Sequence, residues 1–165
     1  MRREATWQAG VIIGMRARVN DGNGWARCSL GHRHWGRFGA AGLLIFDGER
    51  VLLQHRAAWT HEGDTWAVPG GARNSDEAPI VAALREAGEE TSLDATSIAP
   101  FCEWVDDHGG WSYVTIVART APGLEVIPGN PESAAIRWCT IGEVDKLPLH
   151  RGFAASWPKL RALLQ

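Results

Sequence analysis

Glu86, Glu89 and Glu90 lie three and four residues apart in the stretch from Gly70 to Leu93, GGARNSDEAPIVAALREAGEETSL. On a helix, which turns ~100° per residue, their carboxylates point within one arc. Like charges so placed repel each other and weaken the helix unless a positive charge sits among them. Hard divalent cations with oxygen ligands meet that need, and Mg²⁺ or Mn²⁺ suits carboxylates combined with substrate phosphates. Arg85 adds one fixed positive charge a turn before Glu89.

The elements that must position these groups are legible around them. Pro69-Gly70-Gly71 opens the stretch as a turn, and a helix is expected over Asp76 to Thr91. Asn74 through Asp76 supply N-cap candidates, with Glu77 in the first turn where the helix dipole favours an acid. Pro79 is tolerated there because its missing N–H would have no partner. Ile80, Leu84, Ala87 and Thr91 form a stripe at helical spacing that should face a core, with the glutamates to one side. Glu77 and Arg85, two turns apart, are expected to form a bracing salt bridge.

The stretch resembles the signature box of the MutT/Nudix hydrolases, G-x5-E-x7-R-E-U-x-E-E-x-G-U, where U is bulky and apolar. Gly71, Glu77, Arg85, Glu86, Glu89, Glu90 and Leu93 stand at matching positions. Ala87 and Ser92 depart from it, in the first apolar slot and at the last glycine. Those departures bear on helix packing and ending, since a helix-closing residue often needs φ > 0, which costs a non-glycine residue about 1 kcal/mol.

The resemblance covers about residues 38–160. It implies an α/β fold, a Nudix-type α/β/α sandwich around a mixed β-sheet in a single domain, preceded by an N-terminal extension, 1–37, with the hydrolase domain at 38–165. It also implies hydrolysis of a nucleoside diphosphate linked to a further group X. The catalytic set would be Glu86, Glu89, Glu90 and Arg85. The metal, Mg²⁺ or Mn²⁺, would be held by Glu86, Glu89, Glu90 and the Gly70 carbonyl, with Gly71 and Glu77 structural. One glutamate would serve as general base, and the sequence leaves open which. Glu132, in a Pro-rich loop, matches an additional metal or base glutamate of several members. Members that sanitise oxidised guanine nucleotides carry an asparagine near a C-terminal Pro-containing turn; the comparable stretch here, Leu147-Pro148-Leu149-His150-Arg151, has none.

For substrate, the loops and strand ends flanking the box offer Arg56, Arg73 and His61 for phosphate and Trp59, Trp111 or Phe38 for stacking on a base. Of the nine tryptophans, most are expected to be packed. Within the family the compact chain favours a nucleoside triphosphate, ordinary or modified, with ADP-ribose and dinucleoside polyphosphates as alternatives. A nucleotide-sensing module that does not hydrolyse is the rival from another class, and an isopentenyl diphosphate isomerase fails as a reading. Sensors of this kind often lose box carboxylates, which are retained here, and the isomerase's cysteine is replaced by Val68-Pro69-Gly70.

At 165 residues the chain is sized for one domain, and 45% apolar with 22% charged residues is ordinary for a globular protein. A net charge of −2 gives no sign of a nucleic-acid or membrane surface. That charge does not exclude a small polyphosphate ligand, and the resemblance implies a small nucleotide as partner, bound by a monomer or homodimer. Three widely spaced cysteines suggest no disulfide framework and a cytoplasmic setting.

Elsewhere, Ala9 to Val19 reads as a strand, followed by the turn Asn20 to Gly24 and a second strand, Trp25 to Leu30, as a hairpin packed on the domain. Within Cys28-Ser-Leu-Gly-His32-Arg-His34 a thiolate and two imidazoles could bind zinc. Four ligands are normally needed, and no finger-like pair follows, so ordinary loop residues are the better reading. Strands are expected at Ala40–Phe46, Arg50–His55, Ser97–Asp106, Trp111–Ala118 and Ala134–Cys139. A short helix is expected at Ile141–Lys146 and a final one at Phe153–Leu164, which Pro158 should shorten or kink.

Overall fold

In the computed structural model, which describes residues 1–3 and 20–164, the centre is a strand buried on both sides. It spans Ala40–Phe46 (β4, after β1 at Arg2–Arg3, β2 at Trp25–Arg27 and β3 at Arg33–Trp35). Ala41, Leu43 and Ile45 point to one face and Leu44 to the other, as the two-residue period of a strand requires. The chain continues through β5 (Arg50–Arg56), β6 (Trp66–Ala67) and β7 (Gly70–Ala72) into α1 (Pro79–Thr91). After it come β8 (Ile98–Asp107), β9 (Ser112–Thr120), β10 (Ser133–Thr140), α2 (Ile141–Val144) and α3 (Arg151–Ala162).

The main sheet runs β1-β8-β9-β4-β5-β10, with β6 on β5 and β7 on β4. β4 and β9 are parallel and the other pairs antiparallel, so the sheet is mixed. On one face α1 buries Ala82, Ala83 and Ala87 against Ala41, Leu43, Ile45, Val114 and Ile116. On the other, α2 and α3 bury Val144, Phe153, Trp157 and Leu160 against Leu44, Val51, Leu53 and Val117. This is the α/β/α sandwich expected. Among the described residues, no helix is long and apolar enough to cross a membrane.

Several local expectations change. The Ala9–Val19 strand falls outside the described residues, and β2 finds another partner, pairing with β3 as a separate two-stranded sheet. The first helix starts three residues late, at Pro79, with Ala78 as an N-cap that makes no side-chain bond. Asn74 and Glu77 are drawn into loop contacts instead. The buried face of α1 runs through Ala83, Ala87, Glu90 and Thr91, with Ile80 and Leu84 only partly covered. Glu90 therefore belongs to the buried face and not to its flank. Pro158 does not end α3, whose Phe153, Trp157 and Leu160 are held in the core on either side of it. Ser92 closes α1 at φ 52°, the left-handed conformation that the missing glycine would take without strain.

Candidate functional site

The acidic face of α1 lies against β7. Arg85 fixes the approach. Its Nε and Nη2 donate to the two carboxylate oxygens of Glu77, each at 2.9 Å, and Nη2 also donates to the Ala72 carbonyl at 2.9 Å. Nη1 donates to Glu86 Oε1 at 2.6 Å and stands 3.8 Å from Glu89. Glu77 also accepts the Asn74 N–H at 2.9 Å, and Arg73 donates to the Glu77 carbonyl at 2.8 and 3.2 Å. Burial works to raise the Glu77 carboxyl, but bonds from Arg85 and the Asn74 N–H outweigh it and hold the pKa below its ordinary value. Arg85 is thus fully engaged in bracing helix to strand.

Gly71 lets the carboxylate come close. A Cβ there would lie 2.6 Å from the Glu86 carboxyl carbon, inside van der Waals contact. Burial pushes the Glu86 pKa up; Arg85 pulls it down, and the charges of Glu89 and Glu132 raise it further. Glu132 is exposed on its loop, yet its charge reaches Glu86.

Glu90 is deeper. Only 2% exposed, it accepts the Gly70 N–H at Oε2, 2.8 Å away. Its pKa is pushed up to about 7, chiefly by burial; bonds from Gln54 and the Gly70 N–H oppose that, the Glu86 charge adds to it, and Arg56 reduces it. Glu89 is exposed. The helix thus carries one buried and one half-buried carboxylate, both raised, beside an exposed one.

The remaining sequence-designated residues divide between two places. Phe38, Arg73 and Trp111 line a cavity of about 590 Å³ with Arg37, Glu103 and Pro79, on the α1 side of the sheet. Phe38 is 48% exposed and available for stacking. Trp111 is buried, its indole N–H on the Gly36 carbonyl at 2.8 Å and its ring stacked on His34 at 4.1 Å. Arg56 ends β5, and His61 and Trp59 belong to the loop that follows it. Arg56 donates to the His61 carbonyl at 3.2 and 3.3 Å, and Trp59 is 69% exposed.

Sequence reasoning missed Gln54, Ser133, Tyr113 and His108. Gln54 is fully buried, its Nε2 donating to Ser133 Oγ at 2.8 Å, while Ser133 Oγ donates to the Glu90 carbonyl at 3.1 Å. A polar residue inside the apolar run of β5 was the available signal. Burial drives the Tyr113 phenol well above its usual pKa, and the Glu90 charge adds to the effect. His108 joins Cys28, His32 and His34, whose candidate ligand atoms all lie within 4.8 Å of one another. The fourth partner that the sequence did not offer nearby comes from the turn between β8 and β9.

This arrangement has counterparts among known proteins. A Mycobacterium tuberculosis protein with the provisional name 8-oxo-dGTP diphosphatase 3 is 48% identical over 154 residues, covering 86% of this chain and 70% of that protein. The crystal structure of a Nudix hydrolase from M. smegmatis, RenU, superposes with a TM-score of 0.79 at 44% identity, over 86% of this chain and 94% of that one. A C. elegans Ap4A hydrolase shares the fold at 22% identity, with a TM-score of 0.62 over 76% of this chain and 97% of its own. The NUDIX domain pattern matches residues 36–160, a span that takes in the main sheet from β4 onward, α1 with its carboxylates, and most of α3; the chain belongs to the Nudix hydrolases.

Proposed function

We propose that this chain hydrolyses a nucleoside triphosphate, ordinary or chemically modified, to the monophosphate and pyrophosphate, with Mg²⁺ or Mn²⁺ at the α1 carboxylates. One observation carries the reading: buried Glu90 and half-buried Glu86, both with raised pKa, lie beside the Gly70–Gly71 strand. Two neighbouring carboxylates, one buried and one half-buried, that cannot comfortably ionise together are a donor set in need of a cation, and their hard oxygens suit these metals. Glu86, Glu89, Glu90 and the Gly70 carbonyl would hold the metal, with Glu132 joining from its loop. Bound there, a divalent ion would neutralise the cluster and withdraw charge from the diphosphate oxygens.

The protein's own groups do the rest. One of Glu86, Glu89 and Glu90 would accept the proton of the attacking water. Water attacks phosphorus, the P–O bond to the leaving pyrophosphate breaks, and Arg85 keeps Glu86 in place throughout. Arg56, whose charge is felt at Glu90, would steer phosphate. The cavity of about 590 Å³ between Phe38, Trp111 and Arg73 is within the range of small-ligand sites and would take the nucleoside. The division into an extension, 1–37, and a hydrolase domain, 38–165, is part of the same proposal.

The name of the M. tuberculosis relative supports a triphosphate, and the structural neighbours widen the set to be tried. The protein is incubated with Mg²⁺ and dNTPs, 8-oxo-dGTP, ADP-ribose, NADH or dinucleoside polyphosphates, and products are separated by chromatography. The expected result is fastest turnover of a triphosphate, with release of pyrophosphate rather than phosphate. Faster cleavage of ADP-ribose or a dinucleoside polyphosphate would overturn the substrate class; tight binding without turnover would point to a sensor.

A further inference from the structure

The small sheet β2–β3 is joined to the main sheet at the turn between β8 and β9. Ser29 N donates to the Gly109 carbonyl at 2.7 Å, and Ser29 Oγ donates to the His108 carbonyl at 3.2 Å. Gly109 permits the contact, with φ 71° and room for no Cβ, which would fall 2.2 Å from Ser29 Oγ. At this junction Cys28, in the β2–β3 turn, His32 and His34 meet His108. Cys28 is buried, and its turn is closed by its own N–H on the His32 carbonyl at 3.1 Å and the Gly31 N–H on its carbonyl at 2.9 Å.

We propose that Cys28, His32, His34 and His108 form a structural zinc site that clamps the β2–β3 hairpin onto the β8–β9 turn, separate from the carboxylate centre.

Three observations converge on it. First, the ligand atoms already gather within 4.8 Å. A tetrahedral zinc with Zn–N and Zn–S bonds of ~2.0–2.3 Å would hold them about 3.3–3.6 Å apart, so closure takes about 1 Å. Second, His34 Nε2 is buried with no hydrogen-bond partner among the described residues, an arrangement that a metal bond would relieve. Third, His108 Nε2 contacts Asp106 Oδ2 at 3.1 Å. A carboxylate on one ring nitrogen is the usual orienting partner of a zinc-ligating histidine and would leave Nδ1 for the metal.

A thiolate and three imidazoles are borderline-soft donors that favour Zn²⁺ over Mg²⁺. With four protein ligands the site has no open position, so its role is structural. Its consequence for the neighbouring cavity is direct. His34 stacks on Trp111, which lines the cavity wall, and the hairpin continues through Arg37 and Phe38 into the same wall. Zinc would fix that wall.

The test uses the full chain expressed without a histidine tag, desalted, and measured by inductively coupled plasma mass spectrometry. One equivalent of zinc is expected, lost in Cys28→Ser and His108→Gln but retained in Glu86→Gln. Replacing zinc by Co²⁺ should give tetrahedral ligand-field bands and a thiolate charge-transfer band that Cys28→Ser abolishes. If a variant does not fold, the wild-type apoprotein is titrated with zinc against a chromophoric chelator, with an apparent Kd tighter than about 100 nM expected. Zinc retained by folded Cys28→Ser, zinc lost in Glu86→Gln instead, or wild-type affinity weaker than that bound would overturn the proposal.

Discussion

Replacing Glu90 by glutamine should make the metal-free protein more stable and the enzyme inactive. The folded-state pKa of about 7 lies roughly 2.5 units above the ordinary 4.5. At 1.36 kcal/mol per unit this is about 3 kcal/mol, an order-of-magnitude figure. The sign follows from linkage. Below pH 4.5 both folded and unfolded chains carry the proton, and the shift has no effect. Between pH 4.5 and 7 the unfolded chain ionises first, so stability falls as pH rises and stays reduced above pH 7. Glutamine cannot ionise, and its amide oxygen can still accept the Gly70 N–H that now binds Glu90 at 2.8 Å.

Urea denaturation in EDTA, followed by tryptophan fluorescence, reads this directly. At pH 8 Glu90→Gln should exceed wild type by up to about 3 kcal/mol, and the two should converge near pH 4.5. Glu86, raised chiefly by burial as well, leaves a residual slope of the same sign in the variant. Added Mg²⁺ should stabilise wild type and not the variant, because only wild type keeps the full donor set. Turnover should fall at least ~100-fold. A variant less stable than wild type at pH 8, or an advantage that persists unchanged at pH 4.5, would refute the reasoning.

Other outcomes follow from neighbouring residues. Gly71→Ala should lower turnover by about tenfold or more with the fold intact by circular dichroism, because its Cβ would displace the Glu86 carboxylate; unchanged kinetics would remove the close-approach argument. Ser92→Gly should raise stability by about 0.5–1 kcal/mol in urea titration, by relieving the left-handed conformation at φ 52°. Glu77 stabilises the fold through its depressed pKa, a contribution present above pH 4.5 and lost as pH falls through the folded value. Glu77→Gln should therefore cost stability at pH 7 and approach wild type in acid, measured by the same denaturation.

How far the sequence could be read depended on whether each feature was local. The Glu77–Arg85 pair, the strand Ala40–Phe46 and the left-handed need at Ser92 are all set by residues close in the chain. Asn74 has the chemistry of a helix cap, but in the fold its side chain accepts from Gly22 N–H at 3.2 Å, and the helix starts later. Helical periodicity ranks positions by apolarity and so puts Glu90 on a flank; a buried acid breaks that ranking. Gln54 and Ser133 meet only because β5 and β10 pair. His108 joins the cysteine and histidines of β2–β3 through the packing of two turns, which no spacing rule encodes.

The most direct test of the account is a Mg²⁺ titration of triphosphate turnover for wild type, Glu86→Gln and Glu90→Gln, each verified as folded. The account predicts saturable metal-dependent hydrolysis in wild type and at least ~100-fold slower turnover in both variants across the titration. Near-wild-type turnover in either folded variant would contradict it.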